Sequence, residues 1–123
     1  MPGNEIIAAV ATAWGVSAIA IVRMSGEGSV AIADEFFRGA CPLSGEPARH
    51  MALGRITDGE IVVDQILAVR FECGASYTGE ESVELHCHGG IFAARKLLDL
   101  LMSAGARVAW VVICDFIFSL IIG

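Results

Sequence analysis

The sequence has 123 residues, which is enough for one domain with a single hydrophobic core. Apolar residues make up 55% of the chain, so we expect a folded protein rather than a disordered one. The formal net charge is −6, which argues against a protein that wraps nucleic acid by itself, because neutralising phosphates requires clustered lysine and arginine.

The cysteine pattern and the N-terminal residues indicate the cellular compartment of the protein. The four cysteines, Cys41, Cys73, Cys87 and Cys114, include no Cys-x-x-Cys pair. The residues from Met1 to Glu5 lack the basic region of a secretory signal peptide. Together these features predict reduced thiols and a cytoplasmic location.

Two strands are predicted near the start of the chain, at Glu5 to Thr12 and at Ala18 to Met24. The second strand is almost continuously apolar, as expected of a strand covered on both faces, and Arg23 is its one charged residue. A buried arginine needs a partner. Two interpretations remain open: a structural ion pair, with Glu84 or Asp64, or an anion contact in a binding site.

The next segments predict a helix and a hairpin. The turn Ser25 to Ser29 can cap a helix over Val30 to Arg38. Gly39 to Arg49 is predicted to be a loop. The core face of the helix consists of Val30, Ala33, Phe36 and Phe37. Two strands, His50 to Thr57 and Glu60 to Phe71, follow and are joined by the hairpin turn Asp58-Gly59. Within the second strand, Asp64 is predicted to be an edge charge or a partner of Arg70.

The segment from Ser76 to Gly90 holds most of the chemistry. Two adjacent carboxylates, Glu80 and Glu81, precede a strand at Ser82 to Cys87. His88-Gly89-Gly90 then opens a helix, whose start presents unpaired N–H groups and a positive dipole end. We expect the carboxylate loop and this helix start to face one concavity. The alternative is that Gly89-Gly90 is only a tight turn.

The second helix is predicted to end near Ala104, before Gly105. Its core stripe is Ile91, Ala94, Leu98, Leu101 and Met102, with Arg95, Lys96 and Asp99 off that stripe. The element order predicts a compact α+β domain in which two main helices pack on one mixed β-sheet.

A metal site is the other chemistry that this segment suggests. Glu84, His86 and His88 alternate along one strand face, whereas zinc needs three or four converging ligands, and His50 is the one further histidine. We therefore expect no metal. We treat His86 as an ordinary strand residue and His88, beside the helix start, as a functional candidate.

Two motifs carry a family resemblance. Tyr-Thr-Gly-Glu-x-x-Val-Glu-x-x-Cys-His-Gly-Gly, at Tyr77 to Gly90, resembles the signature of the N-terminal domain of the MnmE/TrmE tRNA-modification GTPases. Ala11-Thr12 and the segment Ile21 to Gly26 match the opening strands of the same family. The matches are collinear and cover about residues 4 to 108. The resemblance divides the chain into a family-like domain, 1–109, and an apolar tail, 110–123.

The resemblance implies a reduced folate as ligand, either 5-formyl- or 5,10-methylene-tetrahydrofolate, which supplies a one-carbon unit. Glu80 matches the family's binding glutamate, and a carboxylate suits the adjacent N–H donors of a pterin edge. Arg23 matches the binding arginine and suits the anionic folate tail. We expect the remaining contacts to come from Tyr77, Thr78, His88, Gly89 and Gly90, with Glu81 and Glu84 solvated or structural.

The family implies a homodimer that acts with a flavoprotein partner to modify C5 of the wobble uridine in tRNA. Contact with tRNA would come from the full-length assembly. GTP, Mg²⁺ and K⁺ would belong to a GTPase domain that follows this segment. The sequence contains no Gly-x4-Gly-Lys-Ser/Thr loop, so we do not expect this chain alone to hydrolyse GTP.

The tail departs from the family pattern. The family continues with a helix carrying Asn-Gly-Lys, whose lysine is its third binding residue, and this chain has no counterpart. A truncated or frame-altered end would explain the difference. The tail is shorter than the roughly 20 apolar residues that span a bilayer, and Asp115 interrupts it, so a buried strand or a self-association surface is favoured over a membrane segment.

Two alternatives to a folate-binding and dimerisation module follow from these features. One is a structural dimerisation fragment without folate, which the missing lysine favours. The other is an enzyme resembling the folate-dependent aminomethyltransferases, which the length disfavours.

Overall fold

The computed structural model describes residues 6–10, 20–72 and 80–108. The predictions for Tyr77, Thr78 and the tail 110–123 therefore lie outside the described residues. The helices and strands are, in chain order, β1 Ile7–Val10, β2 Ala20–Ser25, α1 Ser29–Phe36, β3 Phe37–Gly39, β4 Ala52–Asp58, β5 Ile61–Phe71, β6 Ser82–Cys87, α2 Gly90–Ser103 and β7 Arg107–Val108.

The seven strands form one sheet in the order β3-β4-β5-β6-β2-β1-β7. Neighbouring strands are antiparallel except β1 and β7, which run parallel. The predicted mixed sheet with two main helices is therefore confirmed, and the fold class is α+β.

The hydrophobic core lies on one face of this sheet. Because side chains alternate along a strand, every second residue of β2, β5 and β6 faces the core. These core-facing residues are fully buried and include Val22, Met24, Ile66, Ala68, Val83 and Leu85. Buried residues of α1 and α2 belong to the same cluster, and the two helices contact each other. Both helices thus pack on one face, and we call the opposite one the outer face.

Two helix predictions need correction. The first helix ends at Phe36 rather than at the predicted Arg38, because Phe37 and Arg38 belong to β3 and Phe37 pairs with Ile56 of β4. The apolar face that includes Phe36 and Phe37 favours a longer helix. Instead, Phe37 has an extended backbone, pairs with β4 and is buried. In α2, Met102 is 43% exposed, because it follows the buried Leu101 by one position and so turns away from the core.

The turns follow the glycine pattern. Gly59, with φ of 63°, forms the tip of the β4–β5 hairpin, and Gly105, with φ of 113°, ends α2. The N–H of Ala106 donates to the carbonyl of Leu101 at 3.0 Å, which closes the helix end. Both predicted turns are confirmed. Within the described part of the chain, no helix is long and apolar enough to cross a membrane.

Candidate functional site

The first helix begins against a carboxylate from a distant segment. Glu81 lies just before β6, and its carboxylate accepts from the N–H of Val30 at 2.9 Å and from that of Gly28 at 3.4 Å. A negative charge at this position satisfies two helix N–H groups and complements the helix dipole. Glu81 therefore has a structural role, which agrees with its assignment as a solvated or structural residue.

A carboxylate from another element also lies at the start of the second helix. Asp64 of β5 accepts from the N–H of Gly89 at 2.9 Å, and α2 begins at the next residue. Asp64 is thus neither an edge charge nor a partner of Arg70. Arg70 instead donates from Nε to the carbonyl of Glu46 at 2.7 Å, with Glu72 4.0 Å away.

The structure does not bring the carboxylate loop and the α2 start together. Glu80 lies before β6 and Gly89 after it. The strand between them is six residues long, which separates its ends by about 17 Å. The α2 start also has its own carboxylate in Asp64. The predicted single concavity is therefore absent from the described residues, and Gly89-Gly90 forms the turn that leads into the helix.

Arg23 lies on the outer face, opposite Glu84 in the β2–β6 register. Its Nε lies 3.0 Å and its Nη2 2.8 Å from Oε2 of Glu84. The other carboxylate oxygen, Oε1, lies 3.2 Å from Nε2 of His86. The side chains of Arg23, Glu84 and His86 are 15%, 18% and 21% exposed. Of the two partners predicted for Arg23, the structure selects Glu84.

These contacts change the acidity of Glu84. The hydrogen bond with His86, followed by the attraction of Arg23, holds the pKa of Glu84 below its ordinary value of 4.5, against the opposing effect of burial. The carboxylate therefore stays ionised in mildly acidic solution. An ionised Glu84 is what the contact with Arg23 requires.

The depressed pKa of Glu84 predicts a pH dependence of stability. Because the folded-state pKa is lowered, the unfolded chain takes up the proton first as pH falls. The contribution of Glu84 is present above about pH 4.5 and is lost as pH falls through the folded-state pKa. In urea unfolding from about pH 7 to about pH 3, we expect Glu84→Gln to lose less stability at the acid end than the parent. Equal acid losses in the two proteins would contradict this assignment.

Glu80 lies two residues before β6 and is exposed. The register pairs Arg23 with Glu84, so Glu80 precedes the cross-strand partner of Arg23 by four residues along the chain. An extended chain covers roughly 13 Å over four residues. His88 follows Glu84 by the same number of residues, so the register places Arg23 between the two candidates Glu80 and His88 along the direction of β6.

The remaining candidates lie elsewhere or have other partners. The ring Nδ1 of His88 lies 2.9 Å from the carbonyl of Gln65, at the far end of β6 from Glu80. The described residues contain no group of three or more metal-ligating side chains. His86, expected to be an ordinary strand residue, instead contacts Glu84. His86 is the member of the outer-face group that sequence reasoning missed.

Two described cysteines are free thiols. Burial, followed by the charge of Asp64, raises the pKa of Cys87 to about 12, so this thiol stays protonated and unreactive. A hydrogen bond from Cys41 to Glu46, 3.3 Å long, raises the pKa of Cys41. Neither thiol has the lowered pKa of a catalytic nucleophile.

A cavity of about 320 Å³ lies beside the start of α1. Its walls are Val30, Ser44, Arg70, Phe71, Glu72 and Glu81. Neither Arg23 nor Glu80 lines this cavity, and Arg70 and Glu81 already bind backbone groups. We therefore place the candidate site on the outer face rather than in this cavity.

Fold and site together define an α+β domain that carries an arginine–glutamate–histidine group on the face of the sheet turned away from its helices. Residues 6–111 match the family model described as the N-terminus of the GTP-binding protein TrmE. The chain belongs to this family.

Characterised relatives agree with that assignment. The chain is 41% identical to tRNA modification GTPase MnmE of Chlamydia caviae over 106 residues, which is 86% of this chain and 24% of the relative. It is 43% identical to the protein of that name from Chlorobium phaeovibrioides over 110 residues, covering 86% of the chain and 23% of the relative. The chain thus spans about a quarter of the length of these relatives.

Proposed function

We propose that this chain binds a one-carbon tetrahydrofolate and dimerises, as the N-terminal module of a GTPase that modifies C5 of the wobble uridine in tRNA. The relatives are named as tRNA modification GTPases. The observation that carries the ligand proposal is Arg23, held on the outer face by Glu84, which follows Glu80 by four residues. The ligand would be the 5-formyl or 5,10-methylene form.

The chemistry of the two residues suits opposite parts of a folate. A guanidinium binds carboxylates, which the folate tail carries, and the carboxylate of Glu80 can accept from the N–H groups of a pterin. Four residues of extended chain cover roughly 13 Å, so a ligand that meets both Glu80 and Arg23 is expected to be longer than one ring system. Val69 of β5 lies opposite Glu84 and is buried, so it offers an apolar floor beside the ion pair.

Dimerisation is supported by apolar side chains on the surface. Ile61 at the start of β5 is 69% exposed, and Phe92 in the first turn of α2 is 86% exposed. With Val63 and Ala93 they line a common groove. Large exposed apolar side chains that cluster in this way are typical of protein contacts, and a second copy of the chain would cover them.

The wider assembly belongs to the same proposal. A flavoprotein partner, tRNA contacts outside this acidic chain and a cytoplasmic location are expected of the whole protein. GTP hydrolysis with Mg²⁺ and K⁺ would belong to a GTPase domain, as in the family.

The test is calorimetric titration with 5-formyl-tetrahydrofolate after the mass in solution has been measured. We expect a dimer that binds about one folate per chain. Arg23→Ala and Glu80→Ala should each lose about 1.5–3 kcal/mol of binding free energy, the typical value of a charged hydrogen bond. Glu35→Ala is the matched control, because Glu35 is exposed on α1, on the helix side of the sheet and away from both the proposed site and the groove.

One other outcome supports a second candidate function. The family match covers residues 6–111, and the family's third binding lysine is the one site residue for which the sequence offers no counterpart. A well-folded dimer that gives no heat with folate would indicate a structural dimerisation fragment. Variants of Arg23 and Glu80 that bind as well as the parent would instead refute the site.

A further inference from the structure

We propose that Glu84 is a positioning residue of the ligand site, which holds the guanidinium of Arg23 in the place where it meets an anionic group of the ligand. This inference rests on the proposed function. Its basis is the two-point contact of Arg23, whose Nε and Nη2 both lie within 3.0 Å of one oxygen, Oε2. Two neighbouring donors on one acceptor determine both the location and the plane of the guanidinium.

The carboxylate that holds Arg23 is itself held. His86 lies two residues further along β6, on the same face, and its Nε2 lies 3.2 Å from the other oxygen, Oε1. With both oxygens engaged, rotation of the carboxylate would break a contact on one side or the other. The three side chains thus form a row across β2 and β6, in which His86 orients Glu84 and Glu84 orients Arg23.

Among the described residues, the neighbouring strands place apolar residues opposite this row. The register places Ala9 of β1 opposite Arg23, and Val69 and Leu67 of β5 opposite Glu84 and His86. Val69 is only 5% exposed, so the floor beside the ion pair is largely shielded from water. A low local dielectric strengthens hydrogen bonds between charged groups and favours a single arrangement.

The positioning has a consequence for affinity. An arginine side chain that is ordered before the ligand arrives loses less conformational freedom on binding, and for a long side chain this corresponds to roughly twofold to tenfold in affinity. Glu84 also opposes an incoming anion through its own charge. Positioning and charge therefore act in opposite directions, and a variant that changes only one of them separates the two effects.

Glu84→Asp is that variant, because it keeps the charge and withdraws the carboxylate by one methylene. We expect it to raise the Kd for 5-formyl-tetrahydrofolate by about fivefold, measured by calorimetry on the full chain. Glu60→Asp, in the exposed hairpin turn, is the matched control and should stay within about twofold of the parent. Glu84→Gln also removes the charge, so the difference in Kd between Glu84→Gln and Glu84→Asp measures the effect of the charge.

The inference would be overturned if Glu84→Asp bound like the parent. If Glu84→Gln then also bound more tightly, Glu84 would be only a counter-charge to Arg23. Thermal unfolding of each variant shows whether a loss of binding reflects a loss of folding.

A second measurement does not depend on folate. In a proton–nitrogen correlation spectrum, the Nε–H of Arg23 should give a sharp, slowly exchanging signal in the parent and a broadened or lost signal in Glu84→Asp. Absence of folate binding in the parent would refute the proposed function, whereas an unchanged Arg23 signal in Glu84→Asp would refute the positioning role. The two failures are therefore distinguishable.

Discussion

Gly54→Ala is expected to destabilise the domain by about 3 kcal/mol, at the upper end of typical overpacking effects. The ring of Phe37 lies against Gly54 of β4, across the β3–β4 pair. A Cβ at Gly54 would lie 2.6 Å from Cζ of that ring and 2.8 Å from the carbonyl oxygen of Arg38. Phe37 is buried and the second contact is with backbone, so neither neighbour can move without a loss of packing or pairing.

Urea unfolding of the two proteins measures this effect. Gly45→Ala is the matched control, because a Cβ there would meet only Cys41, at an ordinary 3.7 Å. The control should change the free energy of unfolding by less than about 0.5 kcal/mol. A Gly54→Ala protein as stable as the control would show that the Phe37 ring does not occupy the position described.

Glu81→Ala is expected to destabilise the domain by about 2 kcal/mol, the upper end of the range for lost helix caps. The carboxylate accepts from two N–H groups at the start of α1, and its removal leaves them without that acceptor and removes a favourable charge from the helix dipole. Thermal or urea unfolding measures the loss. If Glu81 were only a solvated surface carboxylate, the change would stay within about 0.5 kcal/mol.

Glu80→Ala provides a comparison for Glu81→Ala. Glu80 is exposed and precedes Glu81 by one residue, so Glu80→Ala is expected to affect folate binding more than stability. Glu81→Ala is expected to do the reverse, once the titration is carried out well below the unfolding temperature. If the two variants changed both properties alike, the division of roles between the adjacent carboxylates would be wrong.

Local sequence patterns predicted much of the fold. The alternation from Ser82 to Cys87 predicted β6 with its bounds, and Asp58-Gly59 and Gly105 predicted the hairpin tip and the end of α2. These features depend on neighbouring residues, because side-chain alternation and positive φ are properties of short segments. The same local reasoning wrongly extended α1 to Arg38, because pairing with the distant strand β4 makes Phe37 and Arg38 part of β3.

The caps of the two helices could not be read from local sequence. Capping rules consider residues within one turn of a helix, whereas Glu81 and Asp64 lie 51 and 25 residues from the N–H groups that they accept from. A signal was present in each case: Asp64 interrupts an apolar strand, and Glu81 is one of two adjacent carboxylates. Only the folded sheet determines which N–H group each carboxylate meets.

For the candidate site, the sequence by itself determined that Arg23, a charge in an apolar strand, needs a partner, since an unpaired buried charge is costly. It also determined the family, through motifs that span the chain. The tertiary structure alone decided that Glu84, rather than Asp64, is the partner and that His86 completes the group. The reason is register: pairing β2 with β6 places Glu84 directly opposite Arg23, and strand pairing is a long-range property that no short segment encodes.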